Sequence, residues 1–470
     1  MHFSIPDTDQ IQGSTSSYKV YNIHVNGVLQ CSVRYSQLHD LNEKLKKEFG
    51  AQNLPPFPPK RIFTLKGDDL QDRKAQLEQY IQEISQDSTV SSSEIFNDFL
   101  RKAQQETRHE EKQAVSLSIF LVNGSKLDLD VYSTDKTNHI LEKFLTKMNL
   151  PEDLMYYFGL YLVRSEGESS FSVVRVLQEF ECPYISLKSL RERRLYKIIL
   201  RKAFWDQSFD KDVITHRIGL NLLQVQAESD IAMGWIKSNA DSTQRLSQLL
   251  KKGSKLEYVQ FCQTLPGYGY IEFKPCIANY PQKKSEVVVS VGNYEIKFRS
   301  KDLKQGEEIF SVTRIKCWKV SSENSSQDMN CNVDTPVLQL SFEYLVSKGN
   351  LRWVCLLSDQ AIMMSMSIKS MVNELIRKRK GEKMRRPGDH TPQTKPTFKP
   401  RDKSTEVLFD PSEIQDCDSD MGSIQKAKDS LTKIADKLTG TSIISSKQSD
   451  ESPAFVATTP IQGNIGDDDL

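Results

Sequence analysis

The distribution of aromatic residues sets the first limit on what this chain can fold into. Residues 381–470 hold Phe398, Phe409 and Phe455 but no Trp and no Tyr, and Ser, Thr, Asp, Lys and Pro dominate them. Such a stretch cannot bury enough apolar surface to offset its ordering entropy, so it reads as a disordered tail. Roughly 380 residues remain for folded modules, too many for a single core at about 150 per domain.

Charge excludes one class of partner. The 63 Lys+Arg nearly cancel the 62 Asp+Glu, so no global attraction to nucleic acid is expected. No apolar run reaches the ~18–20 residues that cross a bilayer, and the opening MHFSIPDTDQ lacks both regions of a secretory signal. The eight cysteines (31, 182, 262, 276, 317, 331, 355, 417) never stand as C-x-x-C. Zinc modules and disulfide frameworks are therefore not expected, nor is any metal or cofactor.

Periodicity divides the folded part. YKVYNIHVNGVLQCSVRYS alternates on both sides of Asn26-Gly27, a strong hairpin signal. Ser36 then reads as an N-cap, with Leu38, Leu41, Leu45 and Phe49 at helical spacing. LPPFPPK (54–60) breaks the pattern before helices at about 69–86 and 93–106. A second hairpin, VSLSIFLVNGSKLDLDVY, turns at Asn123-Gly124 and leads into a helix and further strands, as in a ubiquitin-like β-grasp. Residues 204–265 are helically patterned. Strands return from 271 to about 357, and one long helix over about 359–380 closes a PH/PTB-type barrel. The class is a multidomain α+β protein.

These segments resemble a known family. VRYSQL, LPPFPPK and DRKAQLEQYI stand in the order of a PX domain over 1–108. The ubiquitin-like (109–203), helical (204–270) and PTB-like (271–385) segments resemble the three lobes of a FERM domain, followed by the tail 386–470. RIKCWKV, QAIMMSMSIKSMV and the terminal NIGDDDL are similar to the PX-FERM sorting nexins. The resemblance implies a non-enzymatic adaptor, monomeric and cytoplasmic, peripheral on the early endosome membrane. It would carry receptors back to the cell surface and away from lysosomal degradation.

The resemblance also implies sites. Arg34 would grip the 3-phosphate of phosphatidylinositol 3-phosphate, Tyr35 would stack on the inositol ring, and Ser36 would offer a helix N-terminus. Lys60 would neutralise the 1-phosphate and Arg73 would bond the ring hydroxyls, while Ile62, Phe63 and Leu65 would enter the bilayer. A structural role competes at each position. Arg73 shares the apolar stripe of Leu77, where a charge needs a partner, and a carboxylate would serve as well as a lipid. Ile62, Phe63 and Leu65 are equally suited to packing under the Pro-rich segment. Charge does not decide, with 13 Lys+Arg against 14 Asp+Glu over residues 1–108.

For cargo, the resemblance implies a receptor or integrin tail bearing NPxY or NxxY, added as a strand to the PTB-like lobe. Trp318 would line that groove, with Val372 and Ile376 as its other wall; an i, i+4 apolar pair is also ordinary core. RKRKGEKMRR (377–386) reads as a solvated helix end, with anionic lipid as its other reading. At the terminus, Ile465, Gly466, Asp467, Asp468, Asp469 and Leu470 would recruit the retriever complex of the commander assembly. The alternatives are an enzyme targeted by its PX domain and a membrane–cytoskeleton linker. Against the first, the chain carries no Gly-rich phosphate loop, kinase motif set or G-x-S-x-G.

Overall fold

The first Asn-Gly pair forms the turn that its chemistry favours. Asn26 and Gly27 both take positive φ (51° and 77°), a conformation open to these residues, and join the strands Ser17–Val25 and Val28–Val33. The computed structural model describes residues 2–12, 17–61, 67–167, 170–300, 306–323, 337–347, 349–381, 384 and 457–460.

The first module builds a four-stranded sheet from β1 (Phe3–Ser4), β2 (Thr8–Gln12), β3 (Ser17–Val25) and β4 (Val28–Val33). Four helices follow: α1 (Tyr35–Phe49), α2 (Asp68–Gln86), α3 (Ser88–Ser91) and α4 (Glu94–Thr107). Leu38, Leu41 and Leu45 on α1 and Leu77, Ile81 and Ile84 on α2 bury the stripes that their spacing predicts.

The second module is a five-stranded sheet ordered β6-β5-β9-β7-β8, with β5 and β9 parallel as in a β-grasp. Its strands are β5 (Ala114–Leu121), β6 (Lys126–Tyr132), β7 (Phe158–Ser165), β8 (Phe171–Val176) and β9 (Tyr196–Lys202), with helices α5 (Thr137–Lys147) and α6 (Pro183–Lys188). A helical module comes next, with α7 (Asp210–Val213), α8 (Arg217–Ala232), α9 (Ala240–Lys252) and α10 (Lys255–Gln263).

The last module is a barrel-like sheet. Its strands are β10 (Ile271–Glu272), β11 (Cys276–Ala278), β12 (Ser285–Gly292), β13 (Glu295–Arg299), β14 (Glu307–Ser311), β15 (Ile315–Glu323), β16 (Val337–Ser347) and β17 (Asn350–Leu357). Helix α11 (Ala361–Arg379) closes it, and β18 (Ala457–Pro460) joins the sheet from the tail. The tail thus departs from uniform disorder at 457–460. Strand β15 leaves a ladder of main-chain donors and acceptors open at the sheet edge, and Thr-rich backbone pairs with it readily.

The modules share side chains. Phe180 from the β-grasp lies in the core of the first module, and Gln104 of α4 donates to Ser186. Gly27 packs against Ile362 of α11, so closely that a Cβ would stand 2.5 Å from its Cδ1. Glu374 of α11 is buried and accepts from the backbone of Trp205 and Asp206 and from the Tyr294 hydroxyl. Burial raises the Glu374 carboxyl above the ordinary range, while these donors oppose the shift.

Candidate lipid and cargo sites

In the first module, chain direction reverses between β4 and α1, which gathers the basic and aromatic candidates. Arg34 takes the N-cap position in extended backbone (φ −79°, ψ 158°), and its N–H donates to Gln37 Oε1 at 2.8 Å. That bond starts the helix two residues earlier than the expected cap, so Ser36 sits exposed inside the first turn and is not the N-cap. Tyr35 donates its hydroxyl to the Pro58 carbonyl at 2.7 Å and its ring lies 5.6 Å from that of Phe57.

Arg73 answers the question its position raised. It is only 8% exposed on α2, yet its partners are neutral: Nη2 donates to the Pro59 carbonyl at 2.7 Å, and the guanidinium stands 4.4 Å from the Tyr35 ring centre. It also bonds the Tyr21 hydroxyl, opposing the burial that raises that phenol. Arg34 lies over the Tyr18 ring at 3.2 Å, and Lys60 is exposed. No described carboxylate forms an ion pair with Arg34, Lys60 or Arg73 (the pair at this edge is Arg61–Asp69). Of the three cations, Arg73 stands at the Tyr35 ring and the Pro59 carbonyl, Arg34 lies over Tyr18 one residue before Tyr35, and Lys60 follows Pro59, none of them in an ion pair with a described carboxylate. Ile62, Phe63 and Leu65 lie outside the described residues.

The second candidate site lies between β15 and α11. Ser365 is fully buried on α11 and accepts from Trp318 Nε1 at 2.9 Å; His2 Nε2 meets the same oxygen at 2.7 Å. At 100° per residue, Val372 and Ile376 fall within about 20° of Ser365 around the helix. Both therefore lie on the same side of α11 as Ser365, Val372 half-buried against the core and Ile376 38% exposed.

Trp318 requires a correction. Its side chain is 1% exposed and lies within the core, so it does not line the open groove. Trp318 and Val320 share the inward face of β15 by ordinary alternation, Trp318 Nε1 finds Ser365 there, and a bulge between Ile315 and Cys317 brings Ile315 to the same face. What Trp318 offers the edge is its main chain. There β18 pairs antiparallel, with Trp318 opposite Thr459 and Val320 opposite Ala457. An extended peptide, supplied by the chain itself, occupies the edge beside α11. The residues Ile465–Leu470 lie outside the described residues.

Several participants carried no clear sequence signal. Tyr18, Tyr21 and Phe57 surround the cations but read as ordinary strand and loop aromatics, and Ser365 reads as one more small residue on a helix. Among the described residues, no group of His, Cys, Asp and Glu is arranged to hold a metal ion, and no helix is long and apolar enough to cross a membrane.

Comparison with known proteins agrees with this architecture module by module. A PX domain model matches residues 21–103, and the sorting nexin 17/27/31 FERM F1 lobe matches 115–205. The sorting nexin 17/31 F2 lobe matches 206–266 and the sorting nexin 17 FERM C-terminal domain 269–376. The chain is 42% identical to sorting nexin-17 of Homo sapiens over the full length of both. Sorting nexin-17 of Danio rerio is 47% identical over 81% of this chain and 82% of its own. Sorting nexin-31 of Homo sapiens is 34% identical over 80% of this chain and 86% of its own.

The chain belongs to the PX-FERM sorting nexins.

As a PX-FERM sorting nexin it is an endosomal sorting adaptor, assembled from binding modules rather than as an enzyme. Its PX domain implies phosphoinositide binding and peripheral membrane association; its FERM domain implies binding of proteins or receptors.

Proposed function

We propose that this adaptor holds phosphatidylinositol 3-phosphate with Arg34, Tyr35, Ser36, Lys60 and Arg73, and an NPxY or NxxY receptor tail on the β15 edge against Val372 and Ile376. Ile62, Phe63 and Leu65 enter the early endosomal membrane beside the headgroup. Residues Ile465–Leu470 recruit retriever, and the cargo returns to the cell surface.

For the lipid, the support is Arg73 held at the Tyr35 ring and Arg34 over the Tyr18 ring, neither in an ion pair with a described carboxylate, with Lys60 exposed at the end of the Pro-rich segment, a set suited to phosphates on a flat polyol. For the cargo, the observation that carries the reading is β18 lying antiparallel on β15. The edge accepts extended backbone through main-chain bonds, and Val372 and Ile376 supply the apolar wall that selects side chains. Trp318 acts from inside, fixing β15 to α11 through Ser365. Two modest affinities on one membrane then combine through effective concentration.

The test is flotation of the full chain with vesicles bearing phosphatidylinositol 3-phosphate, an anchored NPxY peptide, or both. Vesicles with both should capture the protein at least ~100-fold better than either alone. Arg34→Ala should remove the lipid-dependent part, and Ile376→Asp the peptide-dependent part. Equal capture by vesicles with and without the peptide would overturn the cargo half.

A further inference from the structure

Strands β16 and β17 run on past the body of the sheet. β15 reaches only to Tyr344 of β16, and β11 and Asn279 reach only to Cys355 and Trp353 of β17. Beyond them, Leu345–Ser347 and Asn350–Leu351 form a two-stranded tongue with no other described strand beside it. Its surface and base are apolar where water meets them: Val346 is 46% and Leu351 40% exposed on the tongue and Trp353 41% at its base, and none of them packs into a described core. Cations surround them. Lys319 lies over the Trp353 ring at 5.5 Å, Arg352 is exposed over Tyr280, and Arg314 donates to the Val346 carbonyl at 2.7 Å. Lys316 pairs with Glu343 at 3.1 Å, and Glu308 accepts from Tyr280, so four cations meet two carboxylates.

We infer that this tongue is a second membrane-contact element, which takes the interface of an anionic bilayer rather than a particular headgroup. Trp353, at the base of the tongue opposite Glu343, suits the headgroup level, where an indole ring is half-immersed and its N–H stays wet. Val346 and Leu351, beyond it toward the turn, are then the side chains that enter the interface furthest. The cations then lie at the lipid phosphates with their stems along the apolar surface. A second copy of the chain is the poorer occupant, because a two-fold contact would set like charges against like. A projecting tip also presents no concave pocket for a peptide. The inference goes beyond the lipid site proposed above and does not require it.

The emission of Trp353 reads this contact directly, since Trp205, Trp235 and Trp318 are buried. The full chain is mixed with phosphatidylcholine vesicles containing about a third phosphatidylserine and no phosphoinositide. The expected result is a blue shift with protection from acrylamide, both absent in Trp353→Phe. Arg352→Glu should weaken the partition roughly thirtyfold, about what two charge units contribute near such a surface. Unchanged emission with these vesicles overturns the inference. So does protection that grows with protein concentration in the absence of lipid, which marks self-association. The Arg34→Ala protein serves as the separating control: its Trp353 response to phosphatidylserine should persist even if the phosphoinositide site proves wrong.

Discussion

The guanidinium of Arg73 stands 4.4 Å from the Tyr35 ring centre while Nη2 holds the Pro59 carbonyl at 2.7 Å. One side chain thus fixes both the ring and the Pro-rich segment that together frame the lipid site. Arg73→Ala leaves a carbonyl without its charged donor, at a cost of about 1.5–3 kcal/mol. Its expected signature is a fall in the unfolding temperature together with weakened binding to phosphatidylinositol 3-phosphate vesicles.

Arg34→Ala separates binding from folding. Its guanidinium is exposed and contacts Tyr18 without an acid partner. The unfolding temperature should stay within what a surface change gives, about 0.5 kcal/mol or less, while vesicle binding drops roughly ten- to a hundredfold. A fall in both, measured by calorimetry and flotation, would reassign Arg34 to structure.

The extent to which the sequence disclosed this depends on the range of the interaction. The Asn26-Gly27 turn and the stripe of Leu77, Ile81 and Ile84 are encoded within a few residues, and both appear where the spacing puts them. Arg73 was legible as a charge on an apolar stripe, but its Pro59 and Tyr35 partners come from segments that only the fold brings together. The N-cap moved from Ser36 to Arg34 because Gln37 reaches back, a choice that propensity alone does not make. The resemblance puts Trp318 in the groove, whereas its burial rests on Ser365 of α11, a partner 47 residues away that no local pattern reveals. Pairing of 457–460 with β15 spans the whole tail, beyond any local pattern.

A pH-dependent joint follows from His2. Burial, with the chain's amino terminus and Lys369 adding to it, pushes the imidazole down to about 3. The folded state therefore excludes a proton that the unfolded chain takes up below about 6.5, so its contribution is complete above that pH and declines below it. Relative to His2→Gln, the wild type should lose about 1.4 kcal/mol per pH unit between roughly 6 and 4. Urea unfolding across that range measures it, and parallel curves for the two proteins would remove His2 from the account.

Gly267 should tolerate no side chain. It takes φ +90°, and a Cβ would stand 2.1 Å from the Trp235 carbonyl oxygen, which is backbone and cannot swing aside. Gly253 shares the left-handed conformation (φ +72°) with nothing within 4 Å. Gly253→Ala should therefore cost only the backbone strain, about 1–2 kcal/mol, and Gly267→Ala distinctly more. Comparing the two by thermal unfolding isolates the clash. Equal losses would mean that the α8–α9 connection moves freely.

The pairing of β18 with β15 makes a prediction about cargo that the PX domain cannot influence. Four residues of the chain's own tail lie where the peptide is proposed to bind, so the peptide must displace them. The groove is then open for only a fraction of the time, and apparent affinity is reduced by that fraction. A net gain of about 1 kcal/mol from a few main-chain bonds closes the groove most of the time, so a chain ending before 450 should bind an NPxY peptide roughly fivefold more tightly. Val372→Asp in that shortened chain should reverse the gain, because it puts a charge on the apolar wall without touching the strand edge. Isothermal titration with one synthetic peptide covers all three proteins. Identical affinities with and without the tail would show that β18 and cargo do not share an edge, and the groove would have to be sought elsewhere on the lobe.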